Sequence, residues 1–244
     1  MTEVAITPNK RILIVASNPA VSPVTGWPIG FWWAELTHPY AEFAGAGYRI
    51  DIVSPDGGDL IGDGFSDPED ASGYSADDFI SLGFKHSSKF SALLKNTPSI
   101  ATVRPADYDA ILVIGGQGPM VTMIVNHAVH RLVAAFYEAG KITSLICHGT
   151  CVLLKARLSN GALLCAGKTW TGFADSEEAY AESYAQQKIQ PFWIGQEARK
   201  IDGTNYVAGP AFAPFVVRDG ILITGQQQNS GRAAAGLVIE ALGR

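Results

Sequence analysis

Short apolar runs broken by Gly, Pro and Asn recur along the chain, and they alternate with longer segments of helical period. RILIVAS (11–17) and YRIDIVS (48–54) are β-branched and bounded by breaker residues, which predicts strands. Between them, GFWWAELTHPYAEFAGAG (30–47) sets Phe31, Ala34, Leu36 and Phe43 near helical spacing and ends at Gly45 and Gly47, as a capped helix would. Strand, helix, strand is a βαβ unit, whose crossover is right-handed and whose strands are parallel. YDAILVIGG (108–116) and KITSLICHG (141–149) read as further buried strands, with AVHRLVAAFYEAGK (128–141) as the helix between them. TCVLLKARLSNG (150–161) predicts a helix closed by Asn160-Gly161. The remainder alternates again: helical EEAYAESYAQQ (177–187), a short FWIGQEARK (192–200), strand-like pieces at 205–208 and 214–217, an ILIT strand (221–224) and a last helix, AAAGLVIEAL (233–242).

One stretch breaks the rhythm. Residues 55–107 begin PDGGDLIGDGFSDPEDASGY, rich in Gly, Asp, Pro and Ser, so they predict an irregular insertion or cap with short helices at ADDFISLGF (76–84) and SSKFSALLKN (87–96). With no repeat or linker in 1–244, the expectation is a single α/β domain. A central, mainly parallel sheet would carry helices on both faces, with ligands bound at the carboxyl ends of the strands.

Composition narrows the function classes. Hydrophobic residues at 47% and charged residues at 17% exclude disorder over most of the 244 residues, and the formal charge of −5 argues against nucleic acid as a partner. No apolar run approaches the ~20 residues of a membrane span, and the opening MTEVAITPNK shows no secretory leader. Three cysteines, an odd number, do not make a disulfide framework, so a cytoplasmic protein with reduced thiols is expected.

Three strand ends or segments carry candidate chemistry. In SLICHGTC (144–151) a buried strand ends in Cys147 and runs through His148 and Gly149 into a helix, the layout of a nucleophile elbow. A helix N-terminus there would lower the thiol pKa, although a free cysteine is also often just a small buried hydrophobe. In VIGGQGPM (113–120) successive glycines free backbone N–H groups to approach an oxyanion, or simply make a tight turn. Glu35 stands in the apolar WPIGFWWAELTHPY (27–40); if buried it would be protonated and able to donate to a thiolate, and if not it is a surface acid. Cys151 and Cys165 read as core residues, His38 as a capping or packing residue, and His127/His130 lack an acid or Cys to complete a metal site, so no metal is expected. All five histidines lie at or before 148, so no histidine further along the chain can act as base, and any His partner is His148, adjacent in sequence, or one reaching over from upstream.

These stretches, with GKTWTGFADSEEA (167–179) and GPAFAPFVVRDGILITGQQQNS (209–230), resemble the ThiJ/PfpI superfamily, whose fold is flavodoxin-like and related to class I glutamine amidotransferases. The likeness is to the branch holding glyoxalase III enzymes and heat-shock chaperones. It implies a three-layer sandwich, catalytic Cys147 with His148 beside it, Glu35 donating to the thiolate, and an oxyanion hole from the N–H groups of Gly116 and His148. It also implies a substrate pocket around Gln117, Trp33, Trp170 and Phe212, with Trp32 and Phe173 crowding it, no cofactor, and a homodimer. Two departures stand out: Gln117 replaces the His of the branch's Gly-Gly-His-Gly, and Ala211-Phe212-Ala213 replaces Asp-Trp-Gln.

The function this implies is a cysteine enzyme acting on small reactive aldehydes, a glutathione-independent glyoxalase converting methylglyoxal to lactate, or a protein deglycase. The alternatives are an isocyanide hydratase or amidase-like hydrolase of the same superfamily, and a holdase chaperone or redox-sensing stress protein.

Overall fold

The computed structural model describes residues 10–243; the opening segment read above for a leader lies outside them. Six strands form the main sheet: β1 (Arg11–Val15), β2 (Arg49–Val53), β3 (Ala110–Val113), β4 (Ile142–Ile146), β5 (Val216–Asp219) and β6 (Leu222–Gly225). Their spatial order is β2-β1-β3-β4-β6-β5, all parallel except the edge strand β5, which pairs antiparallel with β6.

Side chains alternate between two buried faces, which is why the central strands β1 and β3 carry apolar residues at successive positions rather than at every second one. Leu13 and Val15 join Ile111, Val113 and Leu145 in one core. Ile12 and Ile14 join Leu112, Ile114, Ile146 and Ile223 in the other. The first core is covered by α3 (His127–Glu138), whose Val129, Leu132, Val133 and Phe136 face the sheet. The second is covered by α1 (Trp33–Gly45) and α5 (Gly231–Leu242), which supply Leu36, Phe43, Val238 and Ile239. The fold is therefore α/β with helices on both faces of the sheet.

The insertion is more ordered than its composition suggests. Residues 55–107 hold α2 (Phe79–His86) and a short helix at Ser88–Ser91, close to the expected positions, and bridge back to the body at Phe31↔Gly62 and Ser54↔Ser99. His38 of α1 meets Asp78, the N-cap residue of α2, at 2.9 Å, which fits its reading as a packing residue.

The helix expected over 150–161 does not form. A 3-10 helix runs over Cys147–Leu154 instead, and beyond it Arg157 bridges Leu163 across a tight turn. Asn160-Gly161 is that turn: the Gly161 N–H donates to the Leu158 carbonyl and Gly161 takes φ 84°. The Asn-Gly signal marks a hairpin here because it precedes a returning segment rather than ending a helix.

Candidate active site

The order β2-β1-β3 reverses direction at β1, and the crevice beyond the carboxyl ends of β1, β3 and β4 is where open α/β sheets place ligands. Cys147 follows β4 there, with φ 54°, a left-handed backbone that a non-glycine residue adopts only when its surroundings impose it. The turn is held by the Thr150 hydroxyl donating to the Cys147 carbonyl at 2.6 Å. Gly115 lies so close that a Cβ on it would stand 2.8 Å from the Cys147 Cβ, the Glu35 Oε2 and the His148 nitrogen, so this position admits only glycine.

His148 presents Nδ1 to the Cys147 Sγ at 3.6 Å and Nε2 to Glu178 Oε1 at 3.0 Å. Its ring stacks on Phe173 with centroids 4.3 Å apart. Thiol, imidazole and carboxylate thus lie in one line, all buried. Burial works against a charge on His148, but the Glu178 carboxylate, with Glu35 and Asp63 further off, outweighs it and raises the imidazole's basicity.

Around the sulfur, the backbone N–H groups of His148 and Gly116 point at Cys147 and pull its pKa down. They do not prevail. Burial, reinforced by the Glu35 carboxyl, pushes the thiol well above its ordinary value, so the lowered pKa expected from a helix N-terminus is not what this site provides. A short 3-10 segment in an apolar interior offers little dipole against the cost of burying a thiolate.

Glu35 is fully buried on the first turn of α1. Its Oε2 accepts the Gly115 N–H at 2.7 Å, Oε1 has no nitrogen or oxygen partner, and the carboxyl hydrogen-bonds the Cys147 thiol. Burial raises its pKa to about 7 despite these contacts.

A third carboxyl comes from the insertion. Asp63 is buried, accepting the Gly30 N–H at 2.7 Å and the Gln117 N–H at 2.6 Å, one on each oxygen. The same three segments are laced by Trp32 N–H to Gly115 O, Gly118 N–H to Gly30 O and Asp63 N–H to Phe31 O. Asp63 therefore clamps the glycine loop that carries Gly116, whose φ of 98° needs glycine. Burial lifts its pKa to about 7 against the pull of those two N–H donors.

A narrow cavity of about 80 Å³ leads to the sulfur, lined by Gly116, Gln117, Cys147, His148 and Phe173 at its floor. It is small beside the ~300–1,000 Å³ of drug-sized sites. A model of the DJ-1/PfpI family matches residues 30–241. The chain belongs to the DJ-1/PfpI family.

Within that family, its relatives include a probable glutathione-independent glyoxalase of Schizosaccharomyces pombe, 25% identical over 95% of this chain and 98% of the relative. Glyoxalase 3 of Candida albicans is 28% identical over 88% of this chain and 91% of its own. Among solved structures, the 24 kDa rapid encystment protein of Francisella tularensis superposes with a TM-score of 0.85 at 27% identity, covering 96% of this chain and 100% of that one.

Of the expected site residues, this DJ-1/PfpI fold brings Cys147, His148, Gly116, Gln117 and Phe212 to one cavity, with Glu35 buried against the Cys147 thiol. Trp33 and Trp170 do not belong to it. Trp33 packs into the core against Phe31, 5.1 Å between centroids, with its indole nitrogen against Gly62. Trp170 is fully buried in the opposite core, its Nε1–H donating to Thr204 Oγ1 at 2.7 Å. Trp32 lines the cavity instead, because successive residues entering α1 face different ways. Phe173 also lines it.

Cys151 and Cys165 are buried core thiols, and His130 spends its Nε2 on the Met123 carbonyl at 2.9 Å. Among the described residues, no group of three His, Cys, Asp or Glu side chains is arranged to hold a metal. No helix among them is long and apolar enough to cross a membrane.

Sequence reasoning missed Glu178 and Asp63. For Glu178 a signal existed: with His148 the last histidine of the chain, an acid on a downstream helix was its natural orienting partner, and Glu177-Glu178 opens such a helix. For Asp63 there was none, since one Asp in GGDLIGDGF looks like any loop acid.

Proposed function

We propose that the protein is a cysteine enzyme of the glutathione-independent glyoxalase type, which adds water across a small 2-oxoaldehyde to give a 2-hydroxy acid. The observation that carries this reading is the Cys147–His148–Glu178 line, with Glu35 and two backbone N–H groups converging on the same sulfur. The glyoxalase names of the two fungal relatives fit the same chemistry.

As the Cys147 sulfur adds to the aldehyde carbon, its proton passes to His148 Nδ1, and Glu178 stabilises the imidazolium that forms. The aldehyde oxygen gains negative charge and is received by the N–H groups of Gly116 and His148. A proton then leaves the former aldehyde carbon and returns to the neighbouring carbon through an enediol. Glu35, close to half-protonated near neutrality, is matched to that transfer, with His148 as the second proton carrier. The product of this step is a thioester. Water cleaves the C–S bond, releases the acid and restores the thiol. The cavity's size favours a small substrate.

The test is incubation with methylglyoxal, without glutathione or added metal, and quantification of lactate against Cys147→Ala. Lactate from the parent and none above background from the variant is expected. Absence of lactate from both would reject the glyoxalase reading.

A further inference from the structure

The mouth of the cavity differs from its floor. Six aromatic rings surround it: Trp32 before α1, Phe65 and Tyr74 from the insertion, Tyr180 and Tyr184 from α4 (Asp175–Ala185), and Phe212. They form a continuous chain, with edge contacts at Trp32–Tyr74 (6.1 Å), Tyr74–Tyr184 (6.2 Å), Phe65–Tyr184 (6.1 Å) and Tyr180–Phe212 (5.0 Å), joined by the stacked pair Tyr180–Tyr184 at 6.5 Å. Tyr180 and Tyr184 nonetheless remain about half exposed, at 52% and 53%. The ring of Phe212 is set in place by backbone: its φ is 58°, its N–H donates to Glu177 Oε1 at 2.8 Å, and its carbonyl accepts from Asn229 Nδ2 at 2.9 Å.

The methyl of methylglyoxal, carried on the ketone carbon next to the one bonded to the sulfur, would stay at the floor and leave these rings uncovered. Building on the glyoxalase reading above, we infer that the mouth is a subsite for a neutral aryl group, so that the preferred substrates are 2-oxoaldehydes bearing an aromatic substituent. Planar rings set edge-on around an opening receive another ring by T-shaped and offset contacts.

A cation, the other guest that aromatic walls accept, is disfavoured because the carboxylate that lines the cavity is already paired and its neighbours turn toward backbone and amide donors. Glu178 pairs with His148. Glu177 takes the N–H of Ala174 and Phe212 and the Gln226 amide. Glu182 accepts from Ile189 and Trp193. Among the described residues, Glu178 is the one carboxylate lining the cavity; it is thus paired with an imidazole, and no unpaired carboxylate lines the opening to hold a guest ammonium or guanidinium.

The experiment compares kcat/KM for phenylglyoxal, read as mandelate, with that for methylglyoxal, read as lactate. It uses the wild-type chain, Tyr184→Ala, Tyr184→Phe and the Cys147→Ala control. The expected result is a preference for phenylglyoxal of about tenfold or more, as burying a ring-sized apolar group provides. That ratio should collapse toward one in Tyr184→Ala and persist in Tyr184→Phe. A wild-type ratio at or below one, with lactate still formed, overturns the subsite and leaves the glyoxalase reading standing. A high ratio untouched by Tyr184→Ala overturns its assignment to this mouth. Turnover of neither aldehyde above the Cys147→Ala control overturns the glyoxalase reading and this inference together.

Discussion

On the elbow side of the site, backbone does the positioning: Cys147 sits in a left-handed turn after β4, and the N–H groups of His148 and Gly116 follow from that turn and the glycine loop. On the inserted side, side chains do it: Asp63 clamps the glycine loop, and Phe65 and Tyr74 wall the mouth. The elbow is supported by a six-stranded sheet with a buried core on each face, while the insertion meets the same cavity through side chains and isolated backbone bridges. The elbow therefore rests on the scaffold, while the insertion, a segment that can change without unmaking the sheet, contributes two of the six rings at the mouth.

Breaking the elbow side should cost most. Glu178→Gln keeps the size of the side chain but removes the charge that stabilises the imidazolium, so kcat should fall about a hundredfold or more with KM little changed. Steady-state kinetics with a methylglyoxal titration reads this. A fall in KM with kcat intact would remove Glu178 from the proton-transfer line.

On the inserted side, Asp63→Asn retains one acceptor where two backbone N–H groups need one each. The amide then faces an N–H it cannot satisfy. Turnover should drop about tenfold through the misplaced Gly116 N–H, with ~1–3 kcal/mol of stability lost in a denaturant titration. Equal loss of stability with unchanged kcat would make Asp63 a folding residue alone.

The pH dependence of stability joins the two sides. Glu35 and Asp63 both have folded-state values of about 7, above the ordinary 4.5 and 3.8, so the folded protein holds more protons than the unfolded chain in that window. Stability should therefore decline as pH rises from about 4 to about 7 and level off above it. Glu35→Gln should flatten part of that slope and leave the part due to Asp63. Denaturant midpoints across that range measure it, and a slope unchanged in the variant would exclude Glu35 as a contributor.

The smallest effect belongs to the outer rim of the insertion. Lys85 bridges Asp67 and Glu69 at 2.6 and 2.8 Å with all three side chains partly in solvent. Lys85→Ala should cost less than ~1 kcal/mol and leave turnover unchanged. A larger loss in thermal denaturation would mean that the insertion is held by its surface charges rather than by its clamp and rings.

Taken alone, the chain determined what local chemistry can encode. Apolar runs such as 12–16 and 110–114 specify strands because a strand buried on both faces needs apolar residues at successive positions, and Cys147-His148-Gly149 after a buried strand specifies an elbow. Glu35 was legible because an acid in so apolar a segment has few reasons to be there. What only the tertiary structure decided is which distant side chains meet. Glu178 lies 30 residues from its imidazole and Asp63 lies 54 residues from the N–H it clamps, and no periodicity links such pairs. Trp32 and Trp33 are adjacent and identical in type, yet one lines the cavity and the other the core, because a side chain's direction is set by the backbone and by what packs against it. The thiol's raised pKa is of the same kind, since desolvation depends on everything folded around the sulfur rather than on the residues beside it in the chain.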